Sequence, residues 1–302
     1  DQLIAAYTDA LDKRAALDAI FLARPHAQAG IPLIPGILGL GWPDLGTSFS
    51  KQRPVVTLIK EALPVTLLLN LIAVPIIYLV AVPMGMLAAT KQRSLFDVLS
   101  GALFVALWSV PVVWAGVLAI GFLANKKYLG WFPVSGLHDN AADAYTWLPM
   151  VDAAGVWRSG YVLDTLWHIA LPVACLVYTG FAVLSKLTRA SMLDNFNADY
   201  VRTAKAKGVS SRDVVLRHVF RNSLLPIITV FVLIFPAMLS GSVVIEKIFS
   251  IPGMGSLIIS AIDGRDRELL LANTLMIAAV DVFAILLADI LYAMADPRIS
   301  FE

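Results

Sequence analysis

Two carboxylates, Asp281 and Asp289, stand in an otherwise apolar run from Leu269 to Ala295. A charge at that depth costs about 3 kcal/mol or more unless it is paired or wetted. Paired aspartates can be catalytic inside a membrane, but such a dyad needs its oxygens in contact. Eight residues apart on one helix, these two do not meet. No His-Glu-x-x-His and no Gly-x-Ser-Gly motif is present either. His168 lies at the start of another apolar run without a His or Cys neighbour at metal-ligand spacing, and reads as an interfacial hydrogen bonder. The single cysteine, Cys175, excludes an intramolecular disulfide framework and a Cys-only metal cluster. No Gly-x-x-x-x-Gly-Lys-Ser/Thr loop occurs, so the chain does not itself cradle ATP phosphates in that manner. No catalytic residue, metal site or bound cofactor is assigned. Asp281 has two readings, a carboxylate facing a polar pathway or a protonated, hydrogen-bonded structural group. Asp289 reads as structural.

The elements that hold these residues belong to a membrane. Of 302 residues, 59% are apolar and 15% charged, too apolar for an ordinary water-soluble domain. Five segments are long and apolar enough to span: Ala62 to Thr90, Val98 to Ala124, Thr165 to Ser185, Asn222 to Ile245 and Leu269 to Ala295. Prolines inside or at the ends of these runs, among them Pro64, Pro75, Pro83, Pro111, Pro172, Pro226 and Pro236, predict kinked, packed helices. The expected fold is all-α and polytopic. Residues 1–61 form an extracytoplasmic segment, 62–296 the transmembrane domain and 297–302 a tail.

Charge sets the sidedness. The connections 91–97, 186–221 and 296–302 carry 11 Lys and Arg in 50 residues, against 12 in 124 residues for 1–61, 125–164 and 246–268. The positive-inside rule then places the first set, and the C-terminus, in the cytoplasm. A polar exported segment such as 1–61 implies an earlier membrane helix, a sixth span upstream. Trp131, Trp147 and Trp157 in the outer loop, with Trp167 just inside the next span, suit the headgroup region. A net charge of +1 gives no footprint for nucleic acid.

The inner segment Lys186 to Arg221 holds eight Lys and Arg against Asp194, Asp199 and Asp213. Its order predicts a helix to Lys207, a left-handed stop at Gly208, an N-cap at Ser210 with Asp213 closing a capping box, and a second helix to Asn222. Val215, Leu216, Val219 and Phe220 form an apolar stripe, with Arg217 and Arg221 on another face. Topology and anionic lipid would account for the arginines alone. A DNA-reading helix pair is excluded because Asn222 runs directly into the next span.

The run Asp199-Tyr200-Val201-Arg202-Thr203-Ala204-Lys205-Ala206-Lys207-Gly208, with Arg221-Asn222-Ser223-Leu224-Leu225-Pro226, resembles the EAA loop of binding-protein-dependent ABC importer permeases of the dipeptide, oligopeptide and nickel branch. Arg202-Thr203-Ala204 stands where the wider pattern has Glu-Ala-Ala, and Gly208 and Pro226 match. Further matches are Gly46-Thr47-Ser48, Phe249-Ser250-Ile251-Pro252-Gly253-Met254-Gly255 and Asp289-Ile290-Leu291-Tyr292-Ala293-Met294-Ala295-Asp296-Pro297-Arg298. The resemblance covers roughly residue 44 to the end.

It implies a permease of a bacterial inner membrane, for peptides or modified peptides, paired with a second related permease. Two ABC ATPase subunits that carry the ATP and Mg, and an extracytoplasmic substrate-binding protein, complete the assembly. Loop 186–221 is then the ATPase-coupling element, with Arg202, Thr203, Ala204, Gly208 and Pro226 at the matched positions and Lys205 and Lys207 as electrostatic neighbours. On this footing Asp281 would attract a peptide amino group. The Ile251-to-Gly255 bend is an outer gate or a plain turn. Substrate selectivity falls to the binding protein.

Overall fold

The computed structural model describes residues 30–34, 38–41, 45–142, 145–151, 157–240 and 242–295. The expected tail, 297–302, and most of segment 1–44 lie outside them. Two units divide the chain, Asp1–Gly46 and Thr47–Glu302. In the first, strand β1 (Gly30–Ile34) pairs antiparallel with β2 (Leu38–Gly41), with a bulge between Pro32 and Ile34.

The second unit is helical apart from a two-residue-per-strand hairpin, β3 (Met150–Val151) with β4 (Trp157–Arg158). Its helices are α1 (Val55–Thr90), α2 (Leu95–Ser109), α3 (Val112–Leu118, continuing as a π-helix Ala119–Ala124) and α4 (Gly160–Phe196). There follow α5 (Asp199–Ala206), α6 (Ser211–Asp213, continuing as a π-helix Val214–Phe220) and α7 (Leu224–Ser240). The last three are α8 (Val243–Ile248), α9 (Met254–Asp263) and α10 (Arg267–Ala295).

Among the described residues three helices are individually long and apolar enough to cross a membrane, and up to five spans result if each bent pair counts as one. The expected second span is not a straight rod: α2 and α3 meet at 86°. Pro111 caps α3, and a residue before proline is driven out of the helical region, so the break falls at Val110, whose φ and ψ are −82° and 115°. The carbonyl freed there accepts a hydrogen bond from Tyr178 Oη at 2.9 Å. The fourth span is likewise shorter than Asn222 to Ile245. It ends at Ser240, and Val243 to Ile245 belong to the separate helix α8.

α1 and α4 form the spine, 36 and 37 residues long. Small residues let them approach: Ala81, Ala88, Ala89 and Ala182 are buried in the contact. At Gly85 a Cβ would lie 2.6 Å from the Ser185 carbonyl oxygen and 2.7 Å from Thr188 Cβ, so the backbones all but touch. A core around Leu69, Ile169, Phe249 and Ile251 closes one end of the spine. A second, around Met192, Val201, Val214 and Val219, closes the other.

Candidate functional site

The loop between the third and fourth spans forms two helices about an elbow. The helix that the sequence predicts to run to Lys207 is two: α4 ends at Phe196, the chain breaks at Asn197 and Ala198, and α5 begins at Asp199. Gly208 has φ of +77°, the left-handed conformation in which an L side chain is strained. Its N–H caps α5 by bonding the Lys205 carbonyl at 3.0 Å. Ser210 then caps α6: its Oγ accepts from Asp213 N at 3.2 Å and donates to Asp213 Oδ2 at 2.8 Å. The box closes through the hydroxyl, not through the backbone of Ser210.

The second helix departs from the expected stripe. In π register, residues five apart share a face, so Val214 and Val219 point inward together, with half-buried Val209 of the elbow packed against them. Leu216, expected in the stripe, is exposed. Arg217 is exposed as well, its Nε 3.1 Å from Asp213 Oδ1. On α5 the 3.6-residue period holds, burying Val201 and Ala204. Arg202, Thr203, Lys205, Lys207 and Gly208 are therefore left together on the open face. Ala204 packs inward within the chain. Pro226 is half-buried in the first turn of α7, where its missing N–H costs no helical bond.

The elbow is tied to α4 by buried polar groups that sequence reasoning does not single out. Ser223, fully buried between α6 and α7, accepts from Asn195 Nδ2 at 3.0 Å, while Ser191 Oγ donates to the Ser223 carbonyl at 3.2 Å. Asn195 Oδ1 in turn accepts from Tyr200 Oη of α5. Both halves of the loop thus bond to one turn of the long helix.

One turn earlier on the same helix, Arg189 of α4 grips Asp97 at the start of α2 with two parallel bonds, Nε to Oδ1 at 2.6 Å and Nη2 to Oδ2 at 2.8 Å. Arg189 lies within the basic segment 186–221, yet it is a strut between two helices rather than a free loop charge. Ser94 caps α2 and Arg93 N donates to the same carboxylate at 3.0 Å.

At the opposite end of α1 the Ile251-to-Gly255 bend is more than a plain turn. Glu246, fully buried, accepts from Thr66 Oγ1 of α1 at 2.9 Å and from Ser256 N at 3.0 Å. Met254 N donates to the same Thr66 oxygen at 2.8 Å. Gly253 and Gly255 are small because a Cβ would lie 2.6 Å and 3.0 Å from the Glu246 carboxylate. Asp266, also fully buried, caps α10 through Leu269 N and accepts from Ser48 Oγ, Ser50 N and Ser50 Oγ. Burial works against its charge, but these hydrogen bonds outweigh it and hold the carboxyl at about 2. The Gly46-Thr47-Ser48 motif thereby gains a physical role at Ser48.

Asp281 is exposed on α10, with no hydrogen bond or ion pair to a described residue. Asp289 is half-buried, and three residues on Tyr292 Oη meets Thr229 Oγ1 of α7 at 2.6 Å. His168 Nδ1 lies 2.8 Å from the Asp164 carbonyl, a local helix contact. Among the described residues no group of three His, Cys, Asp or Glu is placed to hold a metal ion.

Residues 81–301 match the family model described as binding-protein-dependent transport system inner membrane component. The inner membrane ABC transporter permease protein YejB of Escherichia coli O157:H7 is 37% identical over 260 residues, covering 86% of this chain and 68% of that protein. The oligopeptide transport system permease protein AppB of Bacillus subtilis (strain 168) is 37% identical, covering 85% and 76%. The di/tripeptide transport system permease protein DppB of Pseudomonas aeruginosa (strain UCBPP-PA14) is 36% identical over 291 residues, covering 95% and 84%.

Proposed function

The chain belongs to the family of binding-protein-dependent transport system inner membrane components, and we propose that within it this permease imports peptides. Its relatives AppB and DppB are named for oligopeptide and di/tripeptide transport, which supports that substrate class. The subunit itself performs no hydrolysis. Two ABC ATPase subunits holding ATP and Mg, a second related permease and an extracytoplasmic substrate-binding protein complete the transporter. Loop 186–221 and the C-terminus face the cytoplasm.

One observation carries the mechanism: Arg202, Thr203, Lys205, Lys207 and Gly208 share an open face on a capped elbow whose buried side is bonded to α4. The exposed set meets the ATPase. Ala204 and Pro226 act from behind, one as the packed floor of α5 and the other as the start of α7. When the ATPase pair closes, the elbow moves as a rigid body, since its apolar core and Ser191–Asn195–Ser223 bonds resist shear. α4 carries that displacement through the bilayer, and the spans rock between inward and outward access. Asp281, exposed on α10, offers a carboxylate to a peptide amino group along the path.

The test is Gly208→Asn in the complete complex. Asparagine tolerates the left-handed conformation, and nothing lies within 4 Å of the position a Cβ would take. The elbow therefore survives while a side chain protrudes where the ATPase would approach. The expected result is a folded permease that no longer retains the ATPase on purification and no longer supports uptake. Unchanged retention and unchanged uptake would overturn the assignment of this face.

A further inference from the structure

Glu246 and Asp266 take no part in the coupling face, yet they are the two fully buried carboxylates of the described residues. Neither has a cationic partner among those residues. Each is satisfied by hydroxyl and N–H donors, and the donors come from both sides of one contact. Thr66 on α1 bonds Glu246 and accepts from Met254 N, while Ser48 and Ser50, just ahead of α1, bond Asp266. Counting Ser50 N to Asp266, five hydrogen bonds cross between the start of α1 and the segment from α8 to the cap of α10.

We propose that Glu246 and Asp266 are positioning residues that make the hairpin α8–α9 and the first turns of α1 one rigid extracytoplasmic body during transport. The proposal rests on the permease reading above and goes beyond it, because it fixes which elements do not move against each other. Were the hairpin to swing off α1 as a separate gate, Glu246 would lose one of its two donors and Asp266 three of its four, and a carboxylate stripped of donors is costly. Glycines 253 and 255 point the same way. They bring the backbone onto the Glu246 carboxylate, and at Gly253 a Cβ would also lie 2.5 Å from Thr66 Oγ1, so hairpin and α1 meet with no side chain between them. Access therefore changes by the whole body tilting.

A disulfide tests this. A Cβ built on Gly264 lies 2.8 Å from Ser50 Cβ, and the φ of Gly264 is −81°, which any residue adopts. An opening of about 1 Å reaches the usual Cβ separation of about 3.8 Å. Ser50→Cys with Gly264→Cys, in a Cys175→Ala background, is assembled into the complete transporter with its binding protein in proteoliposomes. The bridge is expected to form on oxidation and to leave peptide uptake within about twofold of the reduced protein, well under the tenfold that 1.4 kcal/mol represents. In an Asp266→Ala background uptake per ATP hydrolysed is expected to fall at least about tenfold and to return when the bridge closes. Rescue by a covalent substitute is what a positioning role demands.

Loss of uptake on oxidation, reversed by reductant, would overturn the proposal, since the hairpin would then have to leave α1. So would failure of the bridge to form, or failure of the bridge to rescue Asp266→Ala. Absence of peptide uptake by the unsubstituted chain in the same proteoliposomes would instead refute the peptide-import reading. The rigid body is then judged by bridge yield, which must be equal with and without ATP.

Discussion

Arg189→Ala removes one half of the strut between α4 and α2. Asp97 is 6% exposed and would keep only the Arg93 N–H. Removing one partner of a buried, hydrogen-bonded ion pair costs about 3 to 5 kcal/mol. Arg189 is 32% exposed, so water and counterions screen its side of the pair and lower the expected loss to about 2 to 3 kcal/mol. Asp97→Ala together with Arg189→Ala leaves no stranded charge, and its loss is expected to be about 1 kcal/mol smaller than that of Arg189→Ala alone. Denaturant titration of the detergent-solubilised complex, read for the four members of this double-mutant cycle, measures the coupling directly. A coupling below about 0.5 kcal/mol, the ordinary error of additivity, would refute the view that the pair joins the two helices.

Asp266 makes the outer clamp acid-sensitive. Its carboxyl is held at about 2 against an ordinary value of 3.8, so the clamp's stabilisation of about 2 kcal/mol is present above about pH 4 and lost as the pH falls toward 2. Asp266→Asn is expected to flatten stability over that window, and a curve of unchanged slope would contradict the assignment. Gly85→Ala forces a methyl to within 2.6 Å of the Ser185 carbonyl, and the spine is expected to lose about 1 to 3 kcal/mol in the same titration. Asp281→Asn is expected to raise the KM for peptides with a free amino terminus more than for N-acetylated ones; identical kinetics for both would remove Asp281 from the pathway.

Hydrophobic runs and charge asymmetry made the membrane class legible, because lipid imposes length and composition on every span. The elbow was legible for a different reason: Gly208, Ser210 and Asp213 are local devices whose chemistry is complete within six residues. What escaped was either non-local or a matter of register. Nothing near Asp97 in sequence announces Arg189, and nothing near Glu246 announces Thr66, since the first pair meets only when α2 packs on α4 and the second only when α8 packs on α1. The stripe on α6 differs at Leu216 because a 3.6-residue period places it inward, whereas the chain there widens to a π turn and leaves it exposed. Pro111 was visible as a kink, but its 86° angle depends on how α3 packs against α8 and α4.

The length of α4 has a mechanical consequence. Its 37 residues make a rod of about 55 Å, whereas the hydrocarbon core is about 30 Å thick. One end is embedded among apolar neighbours around Ile169, and the other bears the Ser191 and Asn195 bonds to the elbow. A rod pivoting near its middle is a lever with arms of about 27 Å, and a tilt of about 10° displaces each end by about 5 Å. That stroke approaches one helical turn, so a modest rotation at the elbow end suffices to move the opposite end by the width of a side chain. Gearing of this kind depends on stiffness: a glycine pair introduced at mid-rod would let the elbow end move while the far end stood still.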